Sequence, residues 1–129
     1  MNKQDLLNGV QAVATSGVVQ TPLPTPRPLQ PGQRPVNVMI SVPSGRTWES
    51  RTATCVAGLA TYSALNGVQI GIANLEGSMI TKQRNDLVQM ALNQNADYML
   101  WWDSDITAPP DSLMKLLAHQ KDIVGATYN

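Results

Sequence analysis

An α/β fold built on a Rossmann-like, mostly parallel sheet is what this sequence predicts, and three observations carry the expectation. From Val36 onward, short apolar runs alternate with stretches of helical spacing. Turn residues punctuate each alternation. The run DYMLWW at 97–102 is apolar on both faces, as a strand buried inside a parallel sheet is. Alternation of this kind favours right-handed crossovers and a parallel sheet.

Three segments divide the chain. Residues 1–20 carry a short helical period in KQDLLNGVQAVA, with Leu6, Val10 and Val13 on one side, weakened by Gly9. Residues 21–35 form a linker whose many prolines fix φ and lack the N–H donor, which favours an extended path. Residues 36–129 are the folded domain. Its first strand is VNVMISV (36–42), closed by Pro43-Ser44-Gly45. A helix follows over 49–65, with Ala53, Val56, Ala57, Ala60 and Leu65 on one face and Asn66-Gly67 as its stop. VQIGIAN (68–74) is the second strand. A second helix spans 81–94, with Leu87, Val88, Ala91 and Leu92 inward. The third strand is 97–102. Pro109-Pro110-Asp111 opens a third helix, because proline suits a first turn, and DIVGATY (122–128) is a fourth strand.

Composition narrows the class. The chain has 129 residues, one domain's worth, and 43% of them are hydrophobic. A formal net charge of zero argues against a mainly electrostatic hold on nucleic acid or anionic membrane. Cys55 is the only cysteine, which excludes an intrachain disulfide and fits a reducing interior. No signal-peptide core or membrane-length apolar run is present, so the expected setting is cytoplasmic and without a membrane span.

In open α/β sheets, ligands sit outside the carboxyl ends of the strands. That rule selects the loops 43–48, 74–80 and 103–110. The sharpest of them is Asp103-Ser104-Asp105, directly after the apolar strand. On an extended chain, side chains at i and i+2 project together, about 6–7 Å apart. Two carboxylates at that distance repel by about 3 kcal/mol at an effective dielectric near 20. Mg²⁺ or Mn²⁺ would offset this, since hard cations prefer carboxylate oxygens. A strand-ending turn accounts for the pair equally well on residues alone. Ser44 and Arg46 could donate to phosphate or base; an ordinary βα turn has the same residues. Glu76 could accept a ring N–H from a base, or be a polar loop residue. Arg84 could reach a diphosphate, or be solvated helix surface. His119, at a helix end, is expected to be structural, and Cys55 a small buried residue. Trp48 could stack on a base or pack. Of Trp101 and Trp102, one is expected in the core and the other near the site.

Taken together, Pro43-Ser44, then Glu76-Gly77-Ser78, then Arg84-Asn85, then Asp103-Ser104-Asp105 resemble the GT-A glycosyltransferases. The likeness is to the family-two-like group and the related fungal mannan-polymerase-type enzymes. The downstream Pro109-Pro110-Asp111-Ser112-Leu113 and KDIVGATYN look similar too, and the resemblance spans about residues 36–129. It implies a GT-A nucleotide-binding half, a nucleotide diphosphate sugar as donor and a hydroxyl acceptor of unknown identity. It implies Mn²⁺ or Mg²⁺ as cofactor, held by Asp103 and Asp105. Pro43, Ser44, Arg46, Glu76, Arg84 and Asp103 then form the nucleotide-sugar site, with Glu76 on the base. Asn74-Leu75-Glu76 departs from the adjacent aspartates common in the family, which leaves the base open. The family's general base lies well after Asp-x-Asp. Asp111 and Asp122 are the acids that follow here, neither an obvious base, and the catalytic residue is unassigned. The domain is therefore expected to be truncated before the acceptor half, either a fragment or a chain that needs a partner. Two other functions compete. One is a non-catalytic nucleotide-sugar-binding module. The other is a phosphatase of the haloacid-dehalogenase type, whose Asp-x-Asp-x-Thr signature Asp103–Thr107 fits.

Overall fold

The computed structural model describes residues 31–127. The helical period at 3–14 and most of the proline-rich linker lie outside them. Six elements follow in order: β1 (Val36–Ser44), α1 (Ser50–Leu65), β2 (Val68–Glu76), α2 (Ile80–Asn93), β3 (Tyr98–Trp101) and α3 (Ser112–Ala118). The strands form one parallel sheet in the order β2-β1-β3. β1 pairs with β2 from Val36↔Val68 to Ser44↔Glu76. It pairs with β3 only from Val38↔Tyr98 to Ser41↔Trp101. Pro43 therefore sits past the last β3 rung, where its missing N–H costs the sheet nothing on that side.

Period-two alternation on β1 feeds two cores. Val38, Ile40 and Val42 pack with Val56 and Leu59 of α1, with Trp102, and with Leu113 of α3. Met39, between them, packs with Ala73, Leu87 and Ala91 on the α2 face. The sheet is thus covered by α1 and α3 on one side and α2 on the other. Of the residues expected to face inward, Val56, Ala60, Leu87 and Ala91 pack into the cores, whereas Ala53, Ala57 and Leu92 are exposed; the buried face of α1 is Thr52, Val56, Leu59 and Ser63. Helix α1 stops as the sequence indicates. Gly67 takes φ +83°, the left-handed region where a side chain is costly. Its N–H donates to the Ala64 carbonyl.

Two expectations about the sheet are corrected. β3 is an edge strand, with Tyr98 and Trp101 about 40% exposed, and so is not buried on both faces. The fourth strand does not form among the described residues: 122–127 are irregular, and Ile123 is 93% exposed. Handedness supplies a reason. The β2–α2–β3 crossover moves outward past β1 with α2 on one face. A further outward step of the same hand needs its helix on that face too. Helix α3 instead packs with α1 on the opposite face.

Candidate functional site

The order β2-β1-β3 reverses direction at β1, and the crevice of such a sheet opens between the two strands at the reversal. A cleft of about 390 Å³ opens at the carboxyl ends of the strands, lined by the β1 loop, the β2 loop with the start of α2, and the β3 loop. Pro43, Ser44 and Gly45 form the first wall, Gly77, Ser78, Ile80 and Gln83 the second, Asp103, Ser104 and Asp105 the third. All three loops selected by the sheet rule contribute to it.

The Asp-x-Asp segment is not extended. After Trp101 the chain turns, and the Ile106 N–H donates to the Asp103 carbonyl at 3.2 Å. The buried Trp102 pins this turn: its indole N–H donates to the Ile106 carbonyl at 3.1 Å. The Glu49 N–H, just before α1, donates to the Ser104 carbonyl at 3.0 Å. The extended-chain geometry for the two carboxylates is therefore corrected to a turn, and both residues still border the same cleft.

On the first wall, Ser44 is held from β2. The Asn74 side-chain amide donates to the Val42 carbonyl at 3.0 Å and to the Ser44 hydroxyl at 2.9 Å. The Ser44 hydroxyl donates in turn to the Gly45 carbonyl. Gln83, 6% exposed, donates from Nε2 to the Ser44 carbonyl at 3.1 Å, beside the Gly77 N–H at 3.2 Å. A Cβ on Gly77 would lie 3.0 Å from that Nε2, a tight contact that would push on the hydrogen-bonded amide. Gln83 belongs to the site although nothing local in its sequence marks it.

Arg84 reaches from α2 to the third wall. Its Nη2 lies 3.8 Å from Asp103 Oδ1, and its guanidinium stands 5.4 Å from the centre of the Trp101 ring. Arg46, Glu76 and Arg84 are all exposed and stand outside the lining of the cleft, Arg84 touching it only through Asp103. Trp48 and Cys55 pack against the core of α1 and β1, and His119 ends α3 on the surface. Trp102 is core and Trp101 is the exposed one. Asp111 pairs with Lys115 at 2.9 Å, away from the cleft, and Asp122 lies by the outer edge of β3.

Two carboxylates beside open space fit a hard divalent ion of the Mg²⁺ kind, which takes one or two carboxylates and fills its shell with water and phosphate oxygens. Among the described residues, no group of three or more His, Cys, Asp or Glu side chains gathers as an all-protein metal cage. No described helix is long and apolar enough to cross a membrane.

The model of one protein family, Anp1, matches residues 71–128, from within β2 past the end of α3. Anp1 is a family of mannosyltransferase-like glycosyltransferases, and the match covers just under half of the chain. It includes Glu76, Arg84, Asp103 and Asp105. The likeness fits a glycosyltransferase-related function. No curated protein and no solved structure matches the chain.

Proposed function

We propose that this chain forms the donor-binding part of a glycosyltransferase of GT-A, family-two-like type. It would hold a nucleotide diphosphate sugar for transfer to a hydroxyl acceptor. The observation that carries the reading is the convergence of Asp103 and Asp105 with the Ser44–Gly45 and Gly77–Ser78 loops around one cleft at the carboxyl ends of a parallel sheet. The family likeness over the stretch that carries both aspartates supports it from a separate direction.

Each residue has a physical task in this reading. Asp103 and Asp105 hold Mn²⁺ or Mg²⁺. When bound, that ion supplies positive charge to the diphosphate as the sugar departs. Gly45 and Gly77 keep the walls low, so that a backbone-hugging ligand comes close. Arg84, beside Asp103, would donate to phosphate oxygens through its planar guanidinium. In the transfer, the bond from the anomeric carbon to the diphosphate oxygen breaks and a bond to the acceptor oxygen forms. The acceptor's proton goes to a base outside the cleft residues described. Because Asp111 and Asp122 both stand away from the cleft, a donor-binding module without turnover is the second reading.

Calorimetry tests the reading. Mn²⁺ should strengthen binding of UDP or GDP, and Asp105→Asn should weaken that metal-dependent binding about tenfold or more, for the loss of one charged ligand to the ion. Equal nucleotide affinity with and without metal would sink it. Release of nucleoside diphosphate from a sugar donor separates transferase from binding module.

A further inference from the structure

Arg84 occupies a position with two sides. It leaves α2 beside the buried Gln83, and its guanidinium lies over Trp101 and beside Asp103. At 3.8 Å the approach to Asp103 is too long for a hydrogen bond, so it is charge attraction alone. The two side chains are 50% and 47% exposed, which makes the pair weak and breakable. Among the described residues, Arg84 is the one cation within 4 Å of either aspartate of the turn. The indole face gives the guanidinium a platform on which it can pivot without losing its contact.

We infer that Arg84 is a resident counter-ion of Asp103, displaced by a divalent cation, and that the displaced guanidinium becomes a donor to the diphosphate arriving with that cation. The inference rests on the metal–diphosphate reading above and adds a coupling to it. One residue opposes the bare metal and favours the metal together with the diphosphate. Metal and nucleotide then bind cooperatively, and the cooperativity passes through one side chain.

The signature is a pair of opposite changes, which a merely structural role would not give. The full chain and Arg84→Gln are titrated with MnCl₂ alone, then with UDP or GDP at saturating MnCl₂. Arg84→Gln should bind MnCl₂ alone roughly two- to fivefold more tightly, the scale of an exposed charge pair. It should bind nucleotide plus metal about tenfold more weakly, having lost a charged donor. Arg84→Lys should keep the weak bare-metal affinity and restore only part of the nucleotide affinity, because an ammonium lacks the planar fork. As a direct readout, the Arg84 Nε–H resonance, assigned by its loss in Arg84→Gln, should shift on adding MgCl₂ before any nucleotide. If both affinities move the same way, or MgCl₂ leaves that resonance in place while metal binds, the inference falls and the donor site stands. If neither protein binds MnCl₂, both fall together.

Discussion

The carbonyl of Ser44 accepts two hydrogen bonds, from the Gly77 N–H and from the Gln83 side-chain amide, and so ties the β1 loop to the β2 loop. The Oε1 of Gln83 is buried and has no hydrogen-bond partner among the described residues. Its amide is therefore held through Nε2 alone. Gln83→Ala should lower stability by about 1–2 kcal/mol, for one lost hydrogen bond and a partly emptied site. It should also weaken nucleotide binding by loosening the wall. Urea denaturation with an unchanged midpoint would show that the tie contributes nothing. Legibility at this scale depended on how local the signal was. Asp103 and Asp105 stood out because an apolar strand runs straight into them. Gln83 could not be found from sequence, because its meaning lies in a carbonyl 39 residues away. The extended spacing expected of the aspartates failed for a similar reason. The bond from the Trp102 indole to the Ile106 carbonyl, which braces the turn, is a tertiary feature of a buried side chain.

Between elements, the clearest electrostatic tie is at the opposite end of the sheet. Asp97, just before β3, accepts from the Arg34 guanidinium at 2.7 Å and from the Asn37 N–H at 2.8 Å. Its own N–H donates to the Asn37 carbonyl. The last residues before β1 are thus latched to the start of β3. The Arg34 hydrogen bond, and then that of Asn37, hold the Asp97 carboxyl below the usual carboxylate range. A depressed folded value means that the latch contributes fully above the unfolded aspartate pKa, about 3.9, and is lost as pH falls through the lower folded value. Asp97→Asn should therefore lower the melting temperature at pH 7, and the gap to the parent should close as pH falls through the lowered folded value. A gap of constant size across that range would mean that the carboxylate charge plays no part. The element order through α3 was legible from periodicity and turn residues. The latch was not, because Arg34 sits in a proline-rich stretch that gives no sign of its partner.

At the level of the whole molecule, the sheet formed by the described residues has one doubly paired strand and two open sides. β1 is bonded to both neighbours and is continuously buried from Val38 to Ser44, while β3 pairs over four residues and faces outward on its other side. A groove of about 420 Å³ runs along that side between β3, α3 and residues 121–124. Sequence pattern predicted a strand to fill it, since DIVGATY has strand composition. Pattern carries no information about which face α3 will choose, and that choice sets the direction the chain takes next. The consequence is measurable by hydrogen exchange. The amides of Met39, Ile40 and Ser41 in β1 should exchange most slowly, near the global unfolding limit. Those β3 amides that point away from β1 should exchange faster by orders of magnitude, since no strand among the described residues covers them. Equal protection on the two sides of β3 would mean that another strand occupies the groove in solution, either residues 122–128 or a second chain. The cleft at Asp103 and Asp105 would then lie inside a wider sheet, at its true switch point but no longer beside an open edge.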